Sequence, residues 1–278
     1  MSYQTILVHC DAGKKVSCHL DVAAELAGRF GSVFVGLHAQ PPFEAPAFAE
    51  GAFSMGPIFK AYEEGAKADL ATSRSAFDKA LKGRHVPAEW RIIDDYPEEA
   101  LTIAARYADL LVVGQSTPDN ATITPENLPE SVALATGRPV LVVPHVGADK
   151  PPGKKVMLCW NASRESARAA SDAMPFLKAA NEVIVLIVDP KASANGHGAE
   201  PGADVATWLA RHGVKVSVQR EVAGDTDIGN VILSRAADLD VDLIVMGAYG
   251  HSRMRELVMG GVSRTLLSSM TVPVLMSH

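Results

Sequence analysis

The sequence predicts two tandem α/β units, each a doubly wound parallel sheet of five strands with helices on both faces. Three observations predict it. The chain has 278 residues, more than the roughly 250 at which a single core usually stops growing. It repeats one strand–helix–strand pattern 150 residues further on. Its strand-like segments are continuous apolar runs, as expected of parallel strands buried on both faces.

The first unit opens on Ile6-Leu7-Val8, which runs into the polar turn His9-Cys10-Asp11-Ala12-Gly13. An alanine-rich segment of helical period follows from Val22 to Phe30, and then the β-branched run Val33-Phe34-Val35-Gly36-Leu37-His38. Gln40 to Lys67 is rich in Pro, Phe, Ala and Gly and reads as an extended connection before a helix. Its Pro41, Pro42, Phe43, Pro46, Phe48, Phe53, Met55 and Pro57 suit a cover for this half, an interface or a lid. A periodic helix from Ala100 leads into Leu111-Val112-Val113-Gly114, and Arg138-Pro139-Val140-Leu141-Val142-Val143 closes the unit. Pro144 to Gly153 reads as a linker, since Gly147, Asp149, Pro151 and Pro152 interrupt any period. The expected units are therefore residues 1–146 and 154–278.

The second unit repeats the first. Val156-Met157-Leu158, followed by Cys159-Trp160-Asn161-Ala162-Ser163, lies 150 residues after its counterpart. A helical segment from Ser166 to Leu177 and the run Val183 to Val188 complete the motif. Later, a helix from Val231 enters Leu243-Ile244-Val245-Met246-Gly247, now at an offset of 133, and Val272-Pro273-Val274-Leu275-Met276-Ser277 ends the chain's pattern. The shorter offset assigns about 17 extra residues to the first unit.

Composition excludes several classes. With 47% hydrophobic and 21% charged residues, and no apolar run near the ~20 residues of a membrane span, no membrane role is expected. A net charge of −6 gives no field to hold nucleic acid. Met1-Ser2-Tyr3-Gln4-Thr5 leads straight into the first strand without a basic leader, so a cytoplasmic protein is expected. Cys10, Cys18 and Cys159 lack zinc-cage spacing and read as small buried thiols; no metal site is expected.

In parallel sheets ligands sit beyond the carboxyl ends of the strands, where strand order reverses, so function belongs in the turns after the first and fourth strands. There the second unit reads Gly247-Ala248-Tyr249-Gly250, nine residues His251 to Met259, then Gly260-Gly261-Val262-Ser263. Glycines at a strand-to-helix turn admit a phosphate to the backbone, and free N–H groups at the helix start attract an anion. Ser263 adds a hydroxyl donor. The plain alternative is that these glycines serve only turns and helix packing. Arg253, Arg255 and His251 in the loop either neutralise phosphate or are simply solvated.

On these residues the whole chain, in two copies, resembles a tandem universal stress protein of the UspA superfamily. Gly247 to Ser263 is similar to that family's ATP-binding signature, G-x-x-G, nine residues, then G with Ser or Thr. The resemblance implies an adenine nucleotide α-hydrolase-like, Rossmann-type fold and ATP as cofactor, with or without Mg²⁺. It also implies a nucleotide-responsive role in stress regulation, and a homodimer or an internal dimer of the two halves; other protein partners stay unspecified. It places the triphosphate on Gly247, Gly250, Gly260, Gly261 and Ser263, with Val262 and Met246 shaping the wall, and the adenosine near Trp160, Asn161 and Val188. Trp160 stacks on the base or packs between units.

Two departures concern this unit. Asn161 stands where the family has Asp and retains an acceptor while gaining donors; Gly261 stands where Ser or Thr is usual and keeps the N–H. The first unit departs further: Gln115-Ser116-Thr117 lacks the second glycine, Pro118, Pro125 and Pro129 crowd its loop, and Pro129-Glu130-Ser131 stands in place of the glycine pair. It keeps Asp11, but is expected not to bind ATP, since Glu130 would repel a phosphate. No catalytic residue is assigned: there is no G-x-S-x-G elbow to partner His9, no P-loop lysine and no acidic pair. Asp225 and Asp227 read as helix-starting residues. An ATP-hydrolysing enzyme and a ligand-free scaffold are the alternatives.

Overall fold

A computed structural model describes residues 2–44, 56–116, 125, 127–147, 151–190, 200–248 and 261–278. The first half contributes β1 (Thr5–His9), α1 (Val16–Phe30), β2 (Val33–Ala39), α2 (Gly56–Leu81), β3 (Ala88–Ile93), α3 (Pro97–Ala105), β4 (Leu110–Gly114), α4 (Leu128–Ala135) and β5 (Val140–Val143). The second contributes β6 (Lys155–Cys159), α5 (Arg164–Asp172), α6 (Met174–Ala179), β7 (Glu182–Val188), α7 (Ala203–Arg211), β8 (Val216–Glu221), α8 (Ile228–Asp238), β9 (Leu243–Gly247), α9 (Gly261–Ser269) and β10 (Val274–Ser277).

The ten strands form one sheet in the order β3-β2-β1-β4-β5-β10-β9-β6-β7-β8. Every neighbouring pair is parallel except β5 with β10, which run antiparallel with Leu141 opposite Leu275. Leu141 and Leu275 occupy the same place in the two repeats, so a pseudo-twofold axis passes between them. Strands on either side of that axis point in opposite directions, which puts the carboxyl ends of the two halves at opposite edges of the sheet.

Each half is wound on both faces. Ile6, Val8, Phe34, Leu158 and Val185 meet α1, α5 and α6 in one apolar layer, while Leu7, Val35, Val113, Met157 and Ile244 meet α3, α4, α8 and α9 in the other. Each unit is further pinned by an aspartate just before its fourth strand. Asp109 accepts from the N–H groups of Gln4 and Thr5 at 2.7 and 3.0 Å, and Asp242 accepts from those of Gly153, Lys154 and Lys155.

Two segments differ from the sequence expectation. The single helix expected from Ser166 to Leu177 is two helices, because Pro175 lacks an N–H and is accommodated in the first turn of a new helix, α6. The connection expected through Lys67 gives way at Gly56 to the 26-residue α2, of which only Ser73, Phe77 and Ala80 are buried. Pro46, Phe48, Phe53 and Met55 lie outside the described residues. Phe43 packs edge-on against Phe59, with centroids 5.3 Å apart.

The linker is docked where it is described. Arg29 donates to the carbonyls of Pro152 and Gly153 at 2.7 and 3.3 Å and lies over the rings of Phe30 and Phe176. Tyr3, Phe30 and Phe176 form an aromatic triad across the halves, and the Tyr3 hydroxyl donates to the Asp172 carbonyl at 2.7 Å.

Candidate functional site

Strand register brings Trp160, Asn161, Val188 and Gly247 of the second half to one edge. Leu158 pairs with Val245 and Cys159 with Leu186, so Trp160 is level with Gly247 and Asn161 with Val188 at the carboxyl ends of β6, β7 and β9. The Trp160 N–H donates to the Leu186 carbonyl at 2.9 Å, which carries the pairing one residue past β6. Its ring packs half-buried against the core layer. Met246 is buried in the opposite layer, where Cys159 and Val188 also pack.

The turns at this edge are sharp. Ala162 has φ 57° and Asp189 φ 48°, a left-handed conformation that L residues adopt at a cost of about 1 kcal/mol or more. Asn161 holds its bend with its side chain, Oδ1 accepting from the Ser163 N–H at 3.2 Å, whereas Asp189 Oδ1 ties its turn to the segment after β8 by accepting from the Ala223 N–H at 3.1 Å. The Asn161 amide nitrogen is thereby left as the donor end of an exposed side chain. Ser163 then caps α5 by accepting from the Ser166 N–H at 3.1 Å.

The two described glycines of the motif stand in different surroundings. A Cβ at Gly247 would come within 2.6 Å of the Glu165 carbonyl carbon and the Ser166 nitrogen, so this glycine is required for α5 to approach β9. A Cβ at Gly261, the first residue of α9, would meet nothing within 4 Å. The first turn of α9 holds no acidic residue, and Ser263 within it is buried. It therefore offers helix N–H groups without an acidic competitor. Gly250, Gly260, His251, Arg253 and Arg255 lie outside the described residues.

The same place in the first half is built otherwise. Gly114 ends β4 as Gly247 ends β9, and a Cβ there would strike the His19 ring at 2.7 Å. Gln115 turns away across the pseudo-twofold axis and donates to the Leu267 carbonyl of α9 at 2.8 Å, while its Oε1 accepts from the His145 N–H. The expectation that Pro129-Glu130-Ser131 replaces the glycine pair is corrected by the register. Carried back by the spacing from Leu275 to Leu141, Ser263 falls on Pro129 and Arg264 on Glu130. Glu130 feels Arg264 of the other half, and burial raises its carboxyl above the ordinary range. Asp11 keeps the turn made by Asn161, accepting from the Gly13 N–H at 2.9 Å.

Among the described residues of the second-half edge, Cys159 is the thiol nearest the site. Burial pushes the Cys159 thiol up to about 12, where it is not a thiolate at neutral pH. Asp227 is a helix cap, accepting from Gly229 and Asn230 N–H at 2.9 and 3.3 Å. Among the described residues no group of three or more His, Cys, Asp or Glu is placed to hold a metal ion, and no helix is long and apolar enough to cross a membrane.

Ten strands with two mirrored 3-2-1-4-5 orders, and turns converging at their carboxyl ends, define a Rossmann-type α/β protein. Residues 153–278 match the model of the universal stress protein family. That match spans the second half of the chain. It is 36% identical over 87 residues to Universal stress protein Slr1230 of Synechocystis, a stretch covering 31% of this chain and 27% of that relative, so most of the relative's length has no counterpart in the match. The fold over both halves is similar to a universal stress protein of Archaeoglobus fulgidus, with TM-score 0.71, 15% identity, and 98% and 95% of the two chains covered. It is also similar to a functionally unknown protein of Pseudomonas aeruginosa, with TM-score 0.60, 16% identity, and 99% and 92% covered.

Proposed function

We propose that the second half binds ATP at the carboxyl edge of β6, β7 and β9, and that occupancy tunes a stress-response role through partner interactions. The observation that carries this reading is the contrast at the heads of two equivalent helices. The first turn of α9 presents a bare Gly261, a buried Ser263 and no acid, whereas that of α4 presents Pro129, which lacks an N–H, and Glu130. Only the former suits a polyphosphate. Gly247, Gly250, Gly260, Gly261 and Ser263 would hold the phosphates; Asn161, Trp160 and Val188 would face the nucleoside. Mg²⁺, if it accompanies the nucleotide, would be held by the phosphates.

Ligand occupancy shifts a conformational equilibrium only by its differential affinity for the two states, so regulation requires no turnover. The test is equilibrium binding of ATP to Gly261→Glu. The position is open and acidic residues suit a helix start, so the variant should fold as the parent does while losing at least tenfold in affinity. Unchanged binding contradicts the site. Rapid multiple-turnover hydrolysis by the parent would instead favour an enzyme.

A further inference from the structure

The first half carries a set of buried histidines that the second half lacks. His9, His19 and His38 are 3%, 3% and 5% exposed. His9 pairs with Leu37 as Cys159 pairs with Leu186, so its counterpart is Cys159, and that of His38 is Ile187. The same spacing along the following helix matches His19 with Ala169. Three titratable rings thus replace a thiol, a methyl and a branched alkyl group.

Two of the rings donate to backbone carbonyls, which places a proton on His19 Nε2 and on His38 Nδ1. His19 Nε2 donates to the His9 carbonyl at 2.8 Å, and the ring lies against Gly114. His38 Nδ1 lies 3.0 Å from the Cys10 carbonyl and 2.9 Å from Ser73 Oγ, whose hydroxyl donates to Leu70. The charged and titratable groups facing the cluster are Asp11 and Cys10 from the turn after β1, Lys15 at the head of α1, and His145 after β5. Helix α2 adds neutral Ser73, and β3 adds Trp90 against His38. Asp11 is the carboxylate among them, and its Oδ1 already accepts from Gly13.

We propose that the first half is an acid-triggered module: protonation of His9 and His19 opens the turn region of β1 and α1 while the second half stays closed. Burial holds both imidazoles below the ordinary range, His9 at about 4, against the opposing pull of the Asp11 carboxylate, while the neighbouring His19 and His38 add to the lowering at His9. The stabilisation is therefore full above 6.5, is lost progressively as pH falls below 6.5, and is gone by the folded value. Linkage for His9 alone makes the opening equilibrium about 30-fold larger at pH 5 than at pH 7.5. The boundary with the closed half is the pair of contacts in which the His145 N–H donates to Gln115 and Gln115 donates to the Leu267 carbonyl of α9. The inference needs no nucleotide.

Hydrogen exchange of the intact chain, corrected for intrinsic rates, tests it at pH 7.5 and 5. Amides of β1 and α1 should open at least tenfold more at the lower pH, those of β6 and α5 much less, and His9→Gln with His19→Gln should flatten the response. Equal opening of both halves, or an undiminished response in that double variant, overturns the proposal. Should the variant not fold, histidine NMR of the parent decides. Rings that stay neutral until the exchange rises support it; rings that titrate near 6.5 without opening refute it.

Discussion

Gly247 and Gly261 belong to one sequence motif, yet the side chain each lacks would meet different surroundings. Gly247→Ala drives a methyl into the backbone of α5 and should cost about 1–3 kcal/mol in urea unfolding, as overpacking does. Gly261→Ser enters open space and should change stability by less than about 0.5 kcal/mol, as exposed substitutions usually do. If the two variants were equally destabilised, the packing account of Gly247 would be wrong. This distinction was not legible in the sequence, because glycine spacing marks a turn without saying which neighbour comes close. The turn at Asn161 was placed by its repeat position, but not the left-handed Ala162 that follows it. Strand register likewise sets the counterpart of Gly261 at Asn127, ahead of Glu130, a position that a loop without glycines leaves unmarked in the sequence.

At the scale of elements, continuous apolar runs identified eight of the ten strands, since buried parallel strands have no polar alternation to blur them. The other two, β3 and β8, lie at the sheet's outer edges and are half exposed, so Ala88–Ile93 and Val216–Glu221 read as mixed sequence. The start of helix α2 is hidden in the sequence for a related reason: the helix buries three residues in 26 and shows little periodicity. The aspartates before β4 and β9 contribute to strand placement through charge-assisted bonds. Asp242→Ala removes the acceptor of three consecutive backbone N–H groups and should cost about 2–3 kcal/mol in denaturant unfolding. A loss under half of that would mean water replaces the carboxylate.

At the scale of the whole molecule, repeat arithmetic found two like halves but not how they meet. The antiparallel β5–β10 pair turns two five-stranded units into one sheet, and Arg29 with the Tyr3–Phe30–Phe176 triad fastens the linker and one face. Arg29→Ala removes two hydrogen bonds and the cation over two rings, and is expected to lower stability by about 1–2 kcal/mol. It should also separate a single denaturation transition into two; a sharp single transition in the variant would place the coupling in β5–β10 alone. The inequality of the halves is the central claim, resting on Gly261 and Ser263 at one helix head against Pro129 and Glu130 at the other. Its most direct test is the number of ATP molecules bound per chain at saturation, counted by equilibrium dialysis. One is expected, with at least tenfold weaker affinity in Gly261→Glu; two, or none, would contradict it.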